Sequence, residues 1–212
     1  MTGHAADLEI VAALLRGQHP AFTSLVRAHQ PAFLRLAQTW VRDRADAAEV
    51  VQQAWVSALE SLATFEGRSS LRTWLFGIVI NVARSHVRAH KRTIALSALL
   101  AEEAIDGSTV EPERFFHDGE WVGHWANWPT PFPSPDSALE RERLRRLLEK
   151  AISALPPLQQ QVIVLCDVEG LSGEETCNIL GISGTHQRVL LYRARARTRA
   201  LLEERFSDKA EI

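Results

Sequence analysis

A chain of 212 residues, 46% hydrophobic and 24% charged, has room for one large core or two small ones, and this composition excludes the disordered and collagen-like classes. No apolar run approaches the roughly 18 residues of a membrane span, and the opening MTGHAADLEI lacks the basic-then-apolar order of a signal peptide, so a cytoplasmic protein is expected. The net charge of −2 conceals a segregation: 67–101 carries +6 with no acid, 102–136 carries −7, and 183–199 carries +5 with no acid, which points to an anionic partner for two basic surfaces.

Apolar residues recur at helical spacing in every long segment, and none alternates with the period of two of a half-buried strand, so an all-α chain is expected. A leading helix runs from about Leu8 to Arg16 and stops at Gly17. Phe33, Leu36, Ala37, Trp40 and Val41 make one stripe. Val50, Val51, Ala54, Trp55, Ala58, Leu59 and Leu62 make a second, and Leu71, Trp74, Leu75, Ile78, Val79, Val82 and Ala83 a third. Residues 20–91 thus supply at least three helices able to share a core, with a loop at Glu66 to Ser69.

The next stretch, about 93–136, has five prolines, weak periodicity and excess acid, the marks of an extended linker; its Trp121, Trp125 and Trp128 suggest that part of it docks on something. Leu144, Leu147, Leu148, Ala151, Ile152 and Leu155 then define a helix halted by Pro156 and Pro157, and another helix runs to about Val168. Cys166 and Cys177 stand eleven positions apart in apolar stretches, which suits small core residues better than a disulfide or a metal pair. The expected division is 1–92, the linker 93–136, a second domain 137–206 and a short tail 207–212.

From Leu171 the chain reads LSGEETCNILGISGTHQRVLLYRARARTRALLEERF. Ser172 with Glu175 three residues later is a capping box, Leu180-Gly181-Ile182 is a tight turn, and Ser183 caps a second, arginine-rich helix. This is a helix-turn-helix, whose second helix enters the major groove with its N-terminal end. Thr185, His186, Gln187 and Arg188 fall at that end as candidates for reading base edges, while Arg193, Arg195, Arg197 and Arg199 suit phosphates. Five arginines without a nearby acid would repel one another in the absence of an anion, which speaks against a merely solvated face.

The run ALPPLQQQVIVLCDVEGLSGEETCNILGISGTHQRVLLYRARARTR resembles the promoter-reading C-terminal domain of extracytoplasmic-function sigma factors, a subfamily of the bacterial sigma-70 type. DAAEVVQQAWVSAL resembles their polymerase-binding helix, and FEGRSSLRTWLFGIVINVARSHVRAHKR resembles their minus-10 segment; the matches cover about two thirds of the chain, in order. The resemblance implies two small helical domains, sigma domains 2 and 4, that bind core RNA polymerase through its largest subunits and promoter DNA, duplex and single-stranded. It also implies transcription initiation without catalysis, no cofactor or metal, and an anti-sigma factor as a common regulator.

By the same resemblance Asp46, Glu49 and Gln52 contact the polymerase, from a helix face placed opposite Trp55 and Leu59; Ala48 and Gln53 depart from the usual acidic pattern there. The loop Phe65 to Ser70, with Arg68 and Ser69, receives a flipped minus-10 base, and Trp74, Asn81, Arg84 and Arg88 line the adjoining helix, where Ser85 replaces a common acid. Ser172 and Ser183 join the minus-35 set with the residues of the second helix. A surface for single-stranded DNA needs such cations beside aromatic pockets. Two rival readings are a helix-turn-helix regulator that works apart from polymerase and a metal hydrolase built on His117, Asp118, Glu120 and His124, for which no rigid ligand spacing exists.

Overall fold

Every regular element among the described residues, 2–91 and 138–207 of a computed structural model, is helical. The expected linker, its three tryptophans, Arg92 and the four drawn metal ligands lie outside the described residues, as does the end of the tail. Of the described residues, 2–91 and 164–188 form one compact unit and 138–163 with 189–207 the other.

The first unit begins with α1 (Thr2–Leu15), which ends where Gly17 takes the left-handed conformation at φ 73°. Helix α2 (His19–Gln38) starts with a proline in its first turn, where the missing N–H costs nothing. Helix α3 (Arg44–Ser61) is opened by Asp43, whose carboxylate accepts from the Ala45 N–H at 2.6 Å and the Asp46 N–H at 3.4 Å, and it runs into a 3-10 turn, Leu62–Thr64. Helix α4 (Leu71–Lys91) is opened by Ser70, whose Oγ accepts from the Thr73 N–H at 3.0 Å, while the Leu71 N–H donates to Asp7 Oδ2 of α1 at 2.9 Å. Two of the four orphan donors of α4 are thereby satisfied.

The core of these helices is aromatic. Phe33 of α2 meets Trp55 of α3 at 5.0 Å and Phe76 of α4 at 5.3 Å between ring centroids, and Phe22 meets Trp55 edge-on at 5.9 Å. Trp55 keeps its polar edge satisfied by donating to Gln30 Oε1 at 2.7 Å. Leu59 corrects the expected stripe: it is 46% exposed. Seven residues from Gln52, it stands almost directly above it at 3.6 residues per turn, on the polar face and not opposite it.

The same unit holds a π-helical turn (Val164–Val168), the helix α7 (Gly173–Leu180) and the first turn of α8 (Gly184–Ser207). The second unit contains α5 (Ala138–Ser153), α6 (Pro157–Ile163) and the rest of α8. On α5 the exposed face is laced by Arg145 to Glu142 and Glu149 and by Arg146 to Glu142, at separations of three and four residues. Ala151, Leu155, Val162, Leu190, Ala194 and Leu202 are buried.

Candidate nucleic-acid interface

The turn before α8 is built as its sequence requires. Ser172 Oγ accepts from the Glu175 N–H at 3.2 Å while Glu175 Oε2 accepts from the Ser172 N–H at 2.9 Å, so two orphan donors of α7 are satisfied reciprocally. Gly181 ends α7 at φ 71°, in a region that carries a Cβ penalty for any other residue, and its N–H reaches the Cys177 carbonyl at 2.8 Å. Ser183 caps α8, its Oγ accepting from the His186 N–H at 3.2 Å.

These caps leave Thr185, His186 and Arg188 exposed at the N-terminal end of α8. Gln187 departs from its expected place among them. It is 5% exposed, and its Nε2 donates to Cys166 Sγ at 3.3 Å, beside Thr176 Oγ1 at 3.3 Å from the same sulfur. An amide spent in this way cannot reach a base edge without breaking the contact. Cys166 is accordingly not a plain apolar filler but the half-buried centre of a small polar knot.

Farther along α8, Arg193 and Arg195 are exposed. Arg197 is half-buried and donates from Nη1 to Gln159 Oε1 at 3.2 Å, and Arg199 pairs with Glu203 at 2.7 Å. The acid that offsets the arginine run thus stands four residues beyond the stretch in which none was counted. A similar near miss occurs at Arg68, which pairs with Glu66 at 2.7 Å on an exposed loop.

On the other basic surface Phe65 and Trp74 meet edge-on at 5.4 Å, both half-buried, while Asn81 and Arg88 are exposed. Ser69 Oγ donates to the Ser70 carbonyl at 3.3 Å, within the loop. Arg84 is more engaged: its guanidinium lies over the Trp40 ring at 5.5 Å and its Nη2 donates to the Leu180 carbonyl at 2.6 Å. On α3, Asp46 is half-buried and Glu49 and Gln52 are exposed, and the same side continues into Val56, 43% exposed, and Leu59.

One cluster joins residues far apart along the chain. Glu169, with a side chain 5% exposed, accepts from Arg35 Nε at 3.0 Å and Nη2 at 2.7 Å and from Arg72 Nη2 at 3.1 Å. Beside it the Thr73 hydroxyl donates to Glu175 Oε1 at 2.5 Å. Because Thr73 spends its single hydrogen there, Ser70 is the donor in the 2.7 Å contact between the two hydroxyls. The Thr73 hydrogen bond, helped by those from Ser172 and by the charge of Arg72, holds the Glu175 carboxyl below its ordinary range. Burial, and then the neighbouring charge of Arg72, lowers His29. Among the described residues no group of three or more His, Cys, Asp or Glu could hold a metal ion, and no helix is long and apolar enough to cross a membrane.

Family models match this chain twice: sigma-70 region 2 at residues 25–93, covering most of α2 through α4, and sigma-70 region 4 at 145–198, covering most of α5 through α8. The RNA polymerase sigma-H factor of Pseudomonas aeruginosa is 30% identical over 189 residues, 89% of this chain and 90% of that protein. The chain belongs to the extracytoplasmic-function subfamily of sigma-70 factors. The sigma-E factor of Escherichia coli, 28% identical over 92% of this chain and 93% of its own length, is similar throughout. Two solved structures share the fold with a TM-score of 0.57: CnrH in complex with the cytosolic domain of CnrY, at 24% identity over 94% of this chain and 98% of that one, and the Bartonella quintana sigma factor RpoE in complex with the anti-sigma factor NepR, at 22% identity over 86% and 96%. In this sigma factor the minus-10 candidates fall on the matched region 2, and the minus-35 candidates from Ser172 to Arg197 on the matched region 4, with Arg199 one residue beyond it.

Proposed function

We propose that this sigma factor joins core RNA polymerase through Asp46, Glu49 and Gln52 and reads the minus-10 element with Phe65, Arg68, Ser69, Trp74, Asn81, Arg84 and Arg88. It reads the minus-35 element with Thr185, His186 and Arg188, on a helix set by Ser172 and Ser183, and holds flanking phosphates with Arg193 and Arg195. The observation that carries this reading is the capped end of α8, which projects Thr185, His186 and Arg188 to solvent while Gln187 is spent inside. Arginine to guanine is the commonest specific major-groove contact, and a fixed helix end makes it directional. Arg197 and Arg199 serve first to hold α8 to Gln159 and Glu203.

The protein works in the cytoplasm and adds no chemistry of its own; the polymerase makes the RNA. The matches at 25–93 and 145–198 support a division into a domain of 1–92 and one of 137–206 with 93–136 as the tether, while 164–188 clusters with the first of them. An anti-sigma factor is a fitting regulator, since both similar solved structures hold their sigma factor in a complex and one names the partner as such. The test is run-off transcription by core polymerase with and without the chain. RNA from a defined start only in its presence is expected, and no such RNA would overturn the reading.

A further inference from the structure

We infer that Gly77 of α4 is the floor of a notch that seats one unstacked base of the single-stranded minus-10 DNA, between Trp74 and Asn81. Glycine is the poorest helix former after proline, and Gly77 stands in the interior of the 21-residue α4. Packing gives no reason for it. Among the described residues, apart from its chain neighbours and the backbone of its own helix, no atom comes within 4 Å of where a Cβ on Gly77 would stand. Its backbone φ is not positive, so no left-handed turn calls for it either. The position is half-buried and uncovered. Bare helix backbone under open space suits the third use of glycine, the close approach of a ligand.

The neighbours say which ligand. At 3.6 residues per turn Gly77, Asn81, Trp74 and Arg88 fall within roughly 60° of one another around α4. Trp74 lies one turn before the glycine and Asn81 one turn after it, about 10 Å apart along the axis at 1.5 Å per residue. That interval, with no side chain at its centre, admits a base between two rims. Trp74 is half-buried and meets Phe65 edge-on at 5.4 Å between ring centroids, which fixes an aromatic surface at one rim. Asn81 is exposed at the other, with an amide that both donates and accepts, as a base edge requires. Arg88, exposed two turns farther on, supplies a cation for the DNA backbone. Aromatic surface and cation along one line are what single-stranded sites combine. A base still paired and stacked in a duplex does not enter such a notch. This inference rests on the sigma reading and adds to it the residue that makes room for the base.

The experiment uses holoenzyme assembled from core polymerase and the full chain, with single-stranded oligonucleotides spanning the minus-10 element of a promoter mapped by run-off transcription. Each base is replaced in turn by an abasic site. One stacked base is worth about a 5- to 150-fold change in affinity. With Gly77→Leu, one position that is sensitive in the unsubstituted chain should become indifferent to its base, and affinity for the intact strand should fall by the same factor. Affinity for a minus-35 duplex should not change, and Gly77→Ala should lie between. Both variants place a better helix former in open space, so the melting temperature of the free chain should rise as binding is lost. Unchanged strand affinity in both variants, an abasic profile that keeps every sensitive position, or a melting temperature that falls with the affinity would each overturn the notch. Failure of the sigma reading appears separately, as absence of run-off RNA with the unsubstituted chain.

Discussion

Gln187 of α8 donates to Cys166 Sγ at 3.3 Å and so ties α8 to the π-helical turn that precedes α7, while the next residue, Arg188, faces solvent. Two adjacent polar residues thus have different duties. Arg188→Ala is expected to reduce discrimination among minus-35 sequences by ~1–3 kcal/mol. Gln187→Ala should leave the preference unchanged and lower stability by about 1 kcal/mol, the net worth of a hydrogen bond. Competition binding against a set of minus-35 variants, with a thermal melt alongside, separates the two; an altered preference in the Gln187 variant would contradict its structural assignment.

Arg195 is exposed on α8 beyond the base-reading end, where it suits a phosphate. Arg195→Ala should weaken binding to all sequences alike and reduce the slope of log affinity against log salt by about 1, because one fewer counterion is released. Titrations at several salt concentrations on two unrelated promoters check this. Sequence-selective loss would move Arg195 to the base-reading set.

How far the sequence speaks varies with the range of the interaction. Helices α1 to α4, the capping box at Ser172 and the turn at Gly181 were legible because each rests on spacing or caps within a few residues. Leu59 was misplaced because a stripe drifts around a helix faster than a run of apolar letters suggests, so the seventh residue after Gln52 returns to its side. The inward turn of Gln187 could not be read, since its neighbours His186 and Arg188 are polar and exposed and its partner is a cysteine 21 residues earlier. Glu169 was invisible for the same reason at greater range: nothing in the local run VEGLS announces two arginines from the first ninety residues.

Acid should loosen the Glu169 neighbourhood through Glu175 and His29. The Glu175 carboxyl is lowered, chiefly by the Thr73 hydroxyl, so its contribution is present above the ordinary value of 4.5 and is lost as pH falls through the folded-state value. His29 is lowered by burial and Arg72, so its protonation below 6.5 also favours the unfolded chain. Both effects have the same sign. Melting temperature is expected to fall on acidification, and Glu175→Gln should flatten part of that fall; an unchanged acid limb in the variant would refute the role of Glu175.

Phe33 is 1% exposed between Trp55 and Phe76, at the point where α2, α3 and α4 meet. Truncating it leaves a cavity that three helices cannot close together. Phe33→Ala is expected to cost ~3–5 kcal/mol in denaturant unfolding. A loss under about 1 kcal/mol would mean that the aromatic cluster is not what holds these helices.

The bond from the Leu71 N–H to Asp7 Oδ2 makes α1 more than a leading segment. Shortened versions of the protein that begin at the region 2 match, residue 25, would delete the carboxylate that sits at the positive end of the α4 dipole. Such trimmed versions would fray at the very turn that carries Arg72, Thr73 and Trp74, so a defect in promoter melting there would report a lost helix cap and not a lost DNA contact.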